Sequence, residues 1–468
     1  MKNHYLTNIL IPFFSLLISF SFAQDPGELD LSFDPGDGAD GIVFAVALQT
    51  DGKILMGGGF SDYDGTARNG IARLNEDGSL DTSFDPGSGI DGVVYTIVVQ
   101  PDGKIMIGGG FSMFNGISRN RIARLNTDGS LDNTFDPGLG ASGSIHRIAI
   151  QQDGKMIIGG LLTTYNGDPA NHIARIHTDG SLDNSFMPGT GATSNVLDIV
   201  FQPDGKILIC GLFNEYDGTV RGGIARLNSD GSLDSTLDPG TGAVGNVYEL
   251  ALQADGKVLL VGNFSTFNGD PVGHIVRLNS DGSVDGTFVS GTAADDELKS
   301  IALQPDGKIL IGGKFIYYDG TPYGRIGRLN ADGSPDASFD TGLGVFGNIV
   351  YEIAVQPDHK IMIGGSFISY DGTPRKGIAR LAGGSNTAIS EHHLETFNIS
   401  PNPSSSIVNL SFSAKAEYIL IHDQLGAQVL HKPYTEKLDL SLLDTGVYLL
   451  SLIDSHGKPL ITERLVKK

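Results

Sequence analysis

Cysteine is almost missing from this chain: one residue of 468, Cys210, carries a thiol, so no disulfide within the chain can brace the fold. It sits in the apolar run Ile207-Leu208-Ile209-Cys210-Gly211 and reads as a small buried hydrophobe. A chain this long buries enough apolar surface to do without such braces. Positive charge is scarce too. With 32 Lys and Arg against 54 Asp and Glu the net charge is −22, which argues against nucleic acid and anionic membrane surfaces as partners. No repeat unit needs a helix, and no Gly-x-Ser-x-Gly elbow, His-Glu-x-x-His pair or phosphate-cradling loop is present. The chain is therefore expected not to be an enzyme, and nothing in it calls for a cofactor or a metal.

Glycine is abundant instead, at 65 residues, about twice the usual share. Much of it falls in a repeat. Asp-Gly-Lys begins at Asp51, Asp102, Asp153, Asp204, Asp255 and Asp306, in steps of 51 residues, and a seventh copy reads Asp358-His359-Lys360. Each unit carries four short apolar runs, which in the first are Val43-Phe44-Ala45-Val46-Ala47-Leu48-Gln49, Lys53-Ile54-Leu55-Met56-Gly57-Gly58, Gly70-Ile71-Ala72-Arg73-Leu74-Asn75 and Leu80-Asp81-Thr82-Ser83-Phe84. Runs of this length and composition, bounded by turn residues, read as strands. Asp51-Gly52 joins the first pair and Asp77-Gly78 the last, so each unit is an antiparallel meander. Many such units in series make a β-propeller.

The ends of the repeat array set the count. The seventh unit stops after Ile378-Ala379-Arg380-Leu381, while an orphan piece, Gly27-Glu28-Leu29-Asp30-Leu31-Ser32-Phe33-Asp34-Pro35-Gly36, aligns with Gly78-Ser79-Leu80-Asp81-Thr82-Ser83-Phe84-Asp85-Pro86-Gly87. The expectation is an all-β, seven-bladed β-propeller of four-stranded antiparallel blades over 24–382, closed by an N-terminal strand that removes its exposed edges. Residues 1–23 pair Lys2 with an apolar stretch from Ile9 to Phe22, broken by Pro12, and end in Ser21 and Ala23. This reads as a signal peptide cut between Ala23 and Gln24, leaving a mature chain without a transmembrane segment. Residues 383–396 suit a linker, and 397–468 alternate like a small C-terminal β-sandwich.

The run Leu-Gln-x-Asp-Gly-Lys-Ile-Leu-x-Gly-Gly-x-Phe-x-x-Tyr-Asp-Gly, followed by Ile-Ala-Arg-Leu-Asn-x-Asp-Gly-Ser-Leu-Asp-x-Ser-Phe, resembles the delta-60 repeat, a bacterial β-propeller repeat. The resemblance covers about three quarters of the chain and implies fold without a general activity. The segment 397–468 resembles the type A C-terminal sorting domain of the type IX secretion system of Bacteroidetes, through Pro401-Asn402-Pro403, the turn at Asp423 to Gly426, Leu440-Ser441-Leu442-Leu443-Asp444-Thr445-Gly446-Val447-Tyr448-Leu449 and Leu465-Val466-Lys467-Lys468. That resemblance implies export through periplasm and outer membrane, recognition by the type IX machinery through 397–468, and a secreted or cell-surface location.

Candidate site residues come from where the copies differ. Arg73, Arg124, Arg175, Arg226, Arg277, Arg328 and Arg380 recur in the third run beside Asp81, Asp132, Asp183, Asp234, Asp285, Asp336 and, across the closure, Asp30, and are expected to pair structurally. The recurring aromatic-Asp/Asn-Gly stretch, as at Tyr63-Asp64-Gly65, reads as a turn with a packed aromatic. Segments such as Asn228-Ser229-Asp230-Gly231-Ser232-Leu233-Asp234 lack the closing Glu of a calcium loop and read as hairpin turns. Two positions of the innermost strand diverge instead, as Phe44-Ala45, Tyr95-Thr96, His146-Arg147, Leu197-Asp198, Tyr248-Glu249, Lys299-Ser300 and Tyr351-Glu352. Tyr95, His146, Arg147, Asp198, Tyr248, Glu249, Tyr351 and Glu352 are expected to surround a channel mouth, with Arg68, Arg119, Arg221, Tyr323 and Arg375 on its rim. The expected role is a binding or scaffold module for glycan or protein. The alternative is a polysaccharide hydrolase or lyase using Asp198, Glu249 and Glu352 with His146 as base.

Overall fold

The computed structural model describes residues 24–384, 398–400, 402–411, 416–423, 428–453 and 459–468. The expected signal segment, its cleavage residue Ala23 and most of the expected linker lie outside these. Two compact units divide the chain after Ser385.

The first unit is a ring of seven blades. In blade 1 the strands Ile42–Leu48, Ile54–Gly59 and Ile71–Leu74 form one antiparallel sheet, innermost strand first, and the pattern recurs through blade 7, with Val345–Val355, Ile361–Tyr370 and Ile378–Leu381. The fourth strand takes its shortest form, a single bridge such as Leu74 to Leu80. The reason is local. Asp81 accepts from the Ser83 N–H at 3.0 Å and the Ser83 hydroxyl at 2.7 Å, while the Phe84 N–H donates to the Asp81 carbonyl, so side-chain bonding bends the chain out of the sheet one residue after the bridge. The Asp-Gly turns also differ in detail from a tight two-residue loop. Gln49 accepts from the Gly52 N–H and donates to the Lys53 carbonyl, and Gly52 takes a φ of +85° while Asp51 does not turn left-handed. His359 holds the equivalent place in blade 7 at a φ of +69°.

The N-terminal segment closes the ring. Leu29 bridges to Leu381, the Asp30 N–H donates to the Arg380 carbonyl at 2.8 Å, and the Ala382 N–H donates to the Glu28 carbonyl at 2.8 Å. Val43 and Val46 of blade 1 share one buried cluster with Met362 and Ile378 of blade 7, so the first and last blades pack as neighbours.

The recurring charges pair as expected, with an addition. Arg73 Nε meets Asp81 at 2.7 Å, and so does Lys53 Nζ, the lysine of Asp-Gly-Lys. The arginine also covers the Phe84 ring and donates through Nη1 to the Thr127 carbonyl of the next blade at 2.6 Å. Arg380 does the same with Asp30 and the Glu76 carbonyl, carrying the contact around the ring. Burial alone would raise the pKa of these aspartates, but the lysine, serine or threonine, and arginine bonds outweigh it, and Asp30 and Asp336 are held down to about 2. Such a group gives stability that is complete above its unfolded pKa, near about 3.9, and is lost as pH falls through the folded value. Urea midpoints are therefore expected to drop steeply between about pH 4 and about pH 2; a midpoint that holds through this range would contradict the pairing.

The second unit has a sheet of Asn398–Ser400, Ile407–Ser411 and Lys437–Asp439 and another ordered Gln428–Pro433, Tyr418–His422, Gly446–Ile453, Pro459–Lys467. Val408, Leu410, Ile419, Ile421, Leu438, Leu450, Leu452 and Leu465 fill the space between, as the alternating pattern predicts for a β-sandwich. Among the described residues no helix is long and apolar enough to cross a membrane.

Candidate functional site

Every innermost strand carries a β-bulge at the same place. Pairing slips by one residue between Val43 and Ala45, Val94 and Thr96, Ile145 and Arg147, Val196 and Asp198, Val247 and Glu249, Leu298 and Ser300, and Val350 and Glu352. The residue left over is Phe44, Tyr95, His146, Leu197, Tyr248, Lys299 or Tyr351. A bulged residue leaves the ladder and is re-aimed, so it escapes the packing constraint that keeps the rest of the repeat uniform. The two divergent positions of each repeat are therefore the bulge itself.

These bulges surround a cavity of about 340 Å3, and all eight sequence-derived residues line it: Tyr95, His146, Arg147, Asp198, Tyr248, Glu249, Tyr351 and Glu352. Phe44, Leu197 and Lys299 join them from the same positions. Asn195 and Leu212 line it too; they lie outside the bulges, at positions that also diverge among the copies, as Ile42, Val93, Ser144, Asn195, Asn246, Glu297 and Ile349 and as Gly59, Gly110, Leu161, Leu212, Asn263, Lys314 and Ser366. The rim residues do not line this cavity. Arg221 and Arg375 are buried, with Nη1 3.6 Å from Asp238 and Asp34 of interblade loops. Tyr323 is buried as well, its hydroxyl donating to the Arg328 carbonyl at 2.9 Å. Gly327, where most repeats carry alanine, lies under its ring: a Cβ there would come within 2.9 Å of Tyr323 Cγ. These positions follow the short hairpin after the second strand, whose chain returns into the seam between blades.

The cavity has an aromatic side and a charged side. Phe44 lies 4.8 Å from Tyr351 and 5.3 Å from Tyr95, ring centre to ring centre, and Tyr95 stacks on His146 at 4.6 Å with the planes 6° apart. Burial drives the His146 pKa down to about 4, so its ring is neutral, and Nε2 is buried without a hydrogen-bond partner.

On the charged side Arg147 Nε meets Asp198 Oδ1 at 2.8 Å. Asp198 also accepts the N–H groups of Ile199 and, from the next blade, Leu250, while Glu249 accepts that of Ile301 one blade on. Each carboxylate thus satisfies a backbone donor next to a bulge. Burial, reinforced by Asp198, pushes the Glu249 pKa up to about 7 against the pull of Arg147. Burial and the neighbouring Glu249 push Glu352 well above the usual range. Further round, Lys299 Nζ pairs with Glu297 at 3.1 Å and sits 3.5 Å from the Tyr248 ring centre. Cys210 is paired opposite Asp198 and fully buried, its thiol pushed up by burial.

The pattern of the domain of unknown function 5122 β-propeller matches residues 49–84, 100–135, 151–186, 202–237, 253–288, 304–339 and 356–383, a little over half of the chain. The chain belongs to the DUF5122 β-propeller family. The secretion system C-terminal sorting domain matches 398–468. The propeller is thus exported through the type IX secretion system to the cell surface or beyond, and its tail engages that machinery. No curated protein matches. Among solved structures, the WD40 β-propeller domain of Doa1 is similar at TM-score 0.50 and 16% identity, over 76% of this chain and 96% of that one. The extracellular domain of a hybrid two-component system from B. thetaiotaomicron is similar at TM-score 0.45 and 12% identity, over 96% of this chain and 59% of that one. PorZ, a surface component of the type IX secretion system of Porphyromonas gingivalis, is similar at TM-score 0.40 and 15% identity, over 96% of this chain and 61% of that one. The function of the DUF5122 family is unknown.

Proposed function

We propose that the exported propeller is a binding module that takes part of a glycan or protein into its channel mouth. The observation that carries this is the convergence of the divergent bulge residues on one cavity with an aromatic wall, an unpartnered His146 nitrogen and fixed charges. Concave sites with apolar walls and a few converging polar groups are the usual form of a ligand pocket. Arrays of glycans and of extracellular proteins probed with the purified chain test it. Tyr95→Ala and His146→Ala are expected to weaken a bound ligand about tenfold or more with little change in melting temperature. Equal binding by wild type and both variants would move the site elsewhere.

One observation favours a second reading, a polysaccharide hydrolase or lyase. Asp198, Glu249 and Glu352 share the cavity with His146, and an acid held near about 7 suits proton transfer at neutral pH. Reducing-sugar or unsaturated-product release that is lost in Glu249→Gln supports it; no turnover across a polysaccharide panel leaves the binding reading alone.

A further inference from the structure

When ionised, the carboxylates around the cavity outnumber its cations. Arg147 is engaged by Asp198 at 2.8 Å and Lys299 by Glu297 at 3.1 Å. Glu249 and Glu352 remain, and among the described residues neither has a cation within ion-pair distance of its own. Apart from Arg147 in blade 3, no blade adds a positive charge at the inner bulge position: it is Ala45 in blade 1, Thr96 in blade 2 and Ser300 in blade 6. The remaining titratable groups at the mouth are Tyr95, Tyr248, Tyr351 and neutral His146.

A second observation points the same way. Asn195 lines the cavity at 4% exposure, and its Oδ1 has no hydrogen-bond partner. With His146 Nε2 that makes two buried polar atoms left open, one an obligate acceptor and the other able to accept. Buried polar atoms are nearly always paired, so each exception asks for a partner. Phe44, Tyr95 and Tyr351 supply ring faces, which attract cations. Lys299 over Tyr248 already uses this interaction at the same mouth.

Resting on the binding reading above, we propose that the cavity receives the ammonium or guanidinium end of its ligand, with Glu249 and Glu352 as counter-ions, Asn195 Oδ1 as a further acceptor and the Phe44–Tyr95–Tyr351 wall against the cation. The group is an organic cation, carrying its own N–H donors. No three His, Cys, Asp or Glu side chains among the described residues form a metal-holding set. Such a group is found on a lysine or arginine side chain and on an amino sugar. Bringing the cation in makes the ionised carboxylates favourable, so binding releases protons and tightens as pH rises.

Calorimetry on the intact purified chain tests this with Nα-acetyl-lysine methylamide and ethylguanidinium as cations and Nα-acetyl-norleucine methylamide as the neutral match. Affinity for the cations is expected to rise about tenfold or more from about pH 5.5 to about pH 8, with proton release seen as a buffer-dependent heat, and the neutral probe to bind at least about tenfold more weakly. Glu249→Gln and Glu352→Gln keep the shape and shed buried charge, so they fold; each is expected to lose about tenfold in affinity at about pH 8 and to flatten the pH dependence. A parallel titration with glucosamine against N-acetylglucosamine at about pH 6.5 separates a sugar-borne amine from a peptide one. Equal affinity for neutral and cationic probes, pH-independent binding, or preference for glucuronate overturns the cation site while leaving a binding module. No binding by any probe or array ligand removes both readings.

Discussion

Deleting residues 24–34 is expected to abolish the cooperative fold of the propeller. The segment brings Phe33, fully buried, and Leu29, which bridges to Leu381, into the seam of blade 7. Its Asp30 is the partner of Arg380, the two side chains 6% and 3% exposed. Tyr370 also gives its hydroxyl hydrogen to the Gly27 carbonyl. Stranding a buried arginine costs about 3–5 kcal/mol, and losing a buried phenylalanine costs about 3–5 kcal/mol more. The sum approaches the roughly 5–15 kcal/mol that holds a whole domain together. Far-ultraviolet circular dichroism and urea unfolding of the truncated chain should show a non-cooperative, aggregation-prone species, and adding a synthetic 24–36 peptide should restore a sharp transition. A truncated chain that melts like the intact one would mean the ring closes by other contacts. Arg380→Ala is the milder version of the same cut.

Arg147→Ala should make stability fall as pH rises. Arg147 is paired directly with Asp198, whose side chain is 2% exposed, and its charge also restrains the pKa values of Glu249 and Glu352. Without it Asp198 becomes an unpaired buried anion, at a cost of about 3–5 kcal/mol near about pH 8. A carboxyl group whose folded pKa exceeds its unfolded one gives stability that is complete below the unfolded pKa, near about 4.3, and is lost as pH rises through the folded value. Glu249 already sits at about 7 with Arg147 present, and removing the cation moves it higher. The deficit is therefore expected to shrink by more than half between about pH 8 and about pH 5, and Glu249→Gln in the Arg147→Ala background to recover about 1–3 kcal/mol at the higher pH and little at the lower. Unfolding free energies measured across that range decide it; a deficit independent of pH would show that Arg147 acts through packing alone.

Much of this was legible in the chain because repetition turns sequence into an internal comparison. The count of blades and the role of Leu29 to Phe33 followed from an orphan segment aligning with a missing one. The Arg73–Asp81 pair followed from recurrence on neighbouring runs. The lysine of Asp-Gly-Lys did not, since its partner Asp81 lies 28 residues away across two turns, although both recur in step. The fourth strand pairs where the composition of Leu80-Asp81-Thr82-Ser83-Phe84 places it, but only through one bridge, because the Asp81 side chain competes for the backbone. In the site, divergence marked the right positions without revealing that a bulge makes them divergent. Arg221, Arg375 and Tyr323 looked like rim residues because they also vary, yet their variation is a matter of seam packing. Asn195 was legible by the same criterion, since its position reads Ile42, Val93, Ser144, Asn195, Asn246, Glu297 and Ile349 in the seven copies, but it stands one residue before the strand and outside the two positions singled out.

The arginine that joins neighbouring blades grips a main-chain carbonyl: Arg73 reaches Thr127, Arg124 reaches Thr178, Arg175 reaches Ser229 and Arg226 reaches Ser280. A carbonyl oxygen is the same whatever side chain stands beside it, so this joint does not depend on which residue the neighbouring blade carries there. Gene duplication or exchange of a whole 51-residue module then leaves the joints intact while reshuffling which pair of residues faces the axis. The residues that face the axis can thus change one module at a time without disturbing the main-chain grip that holds the frame.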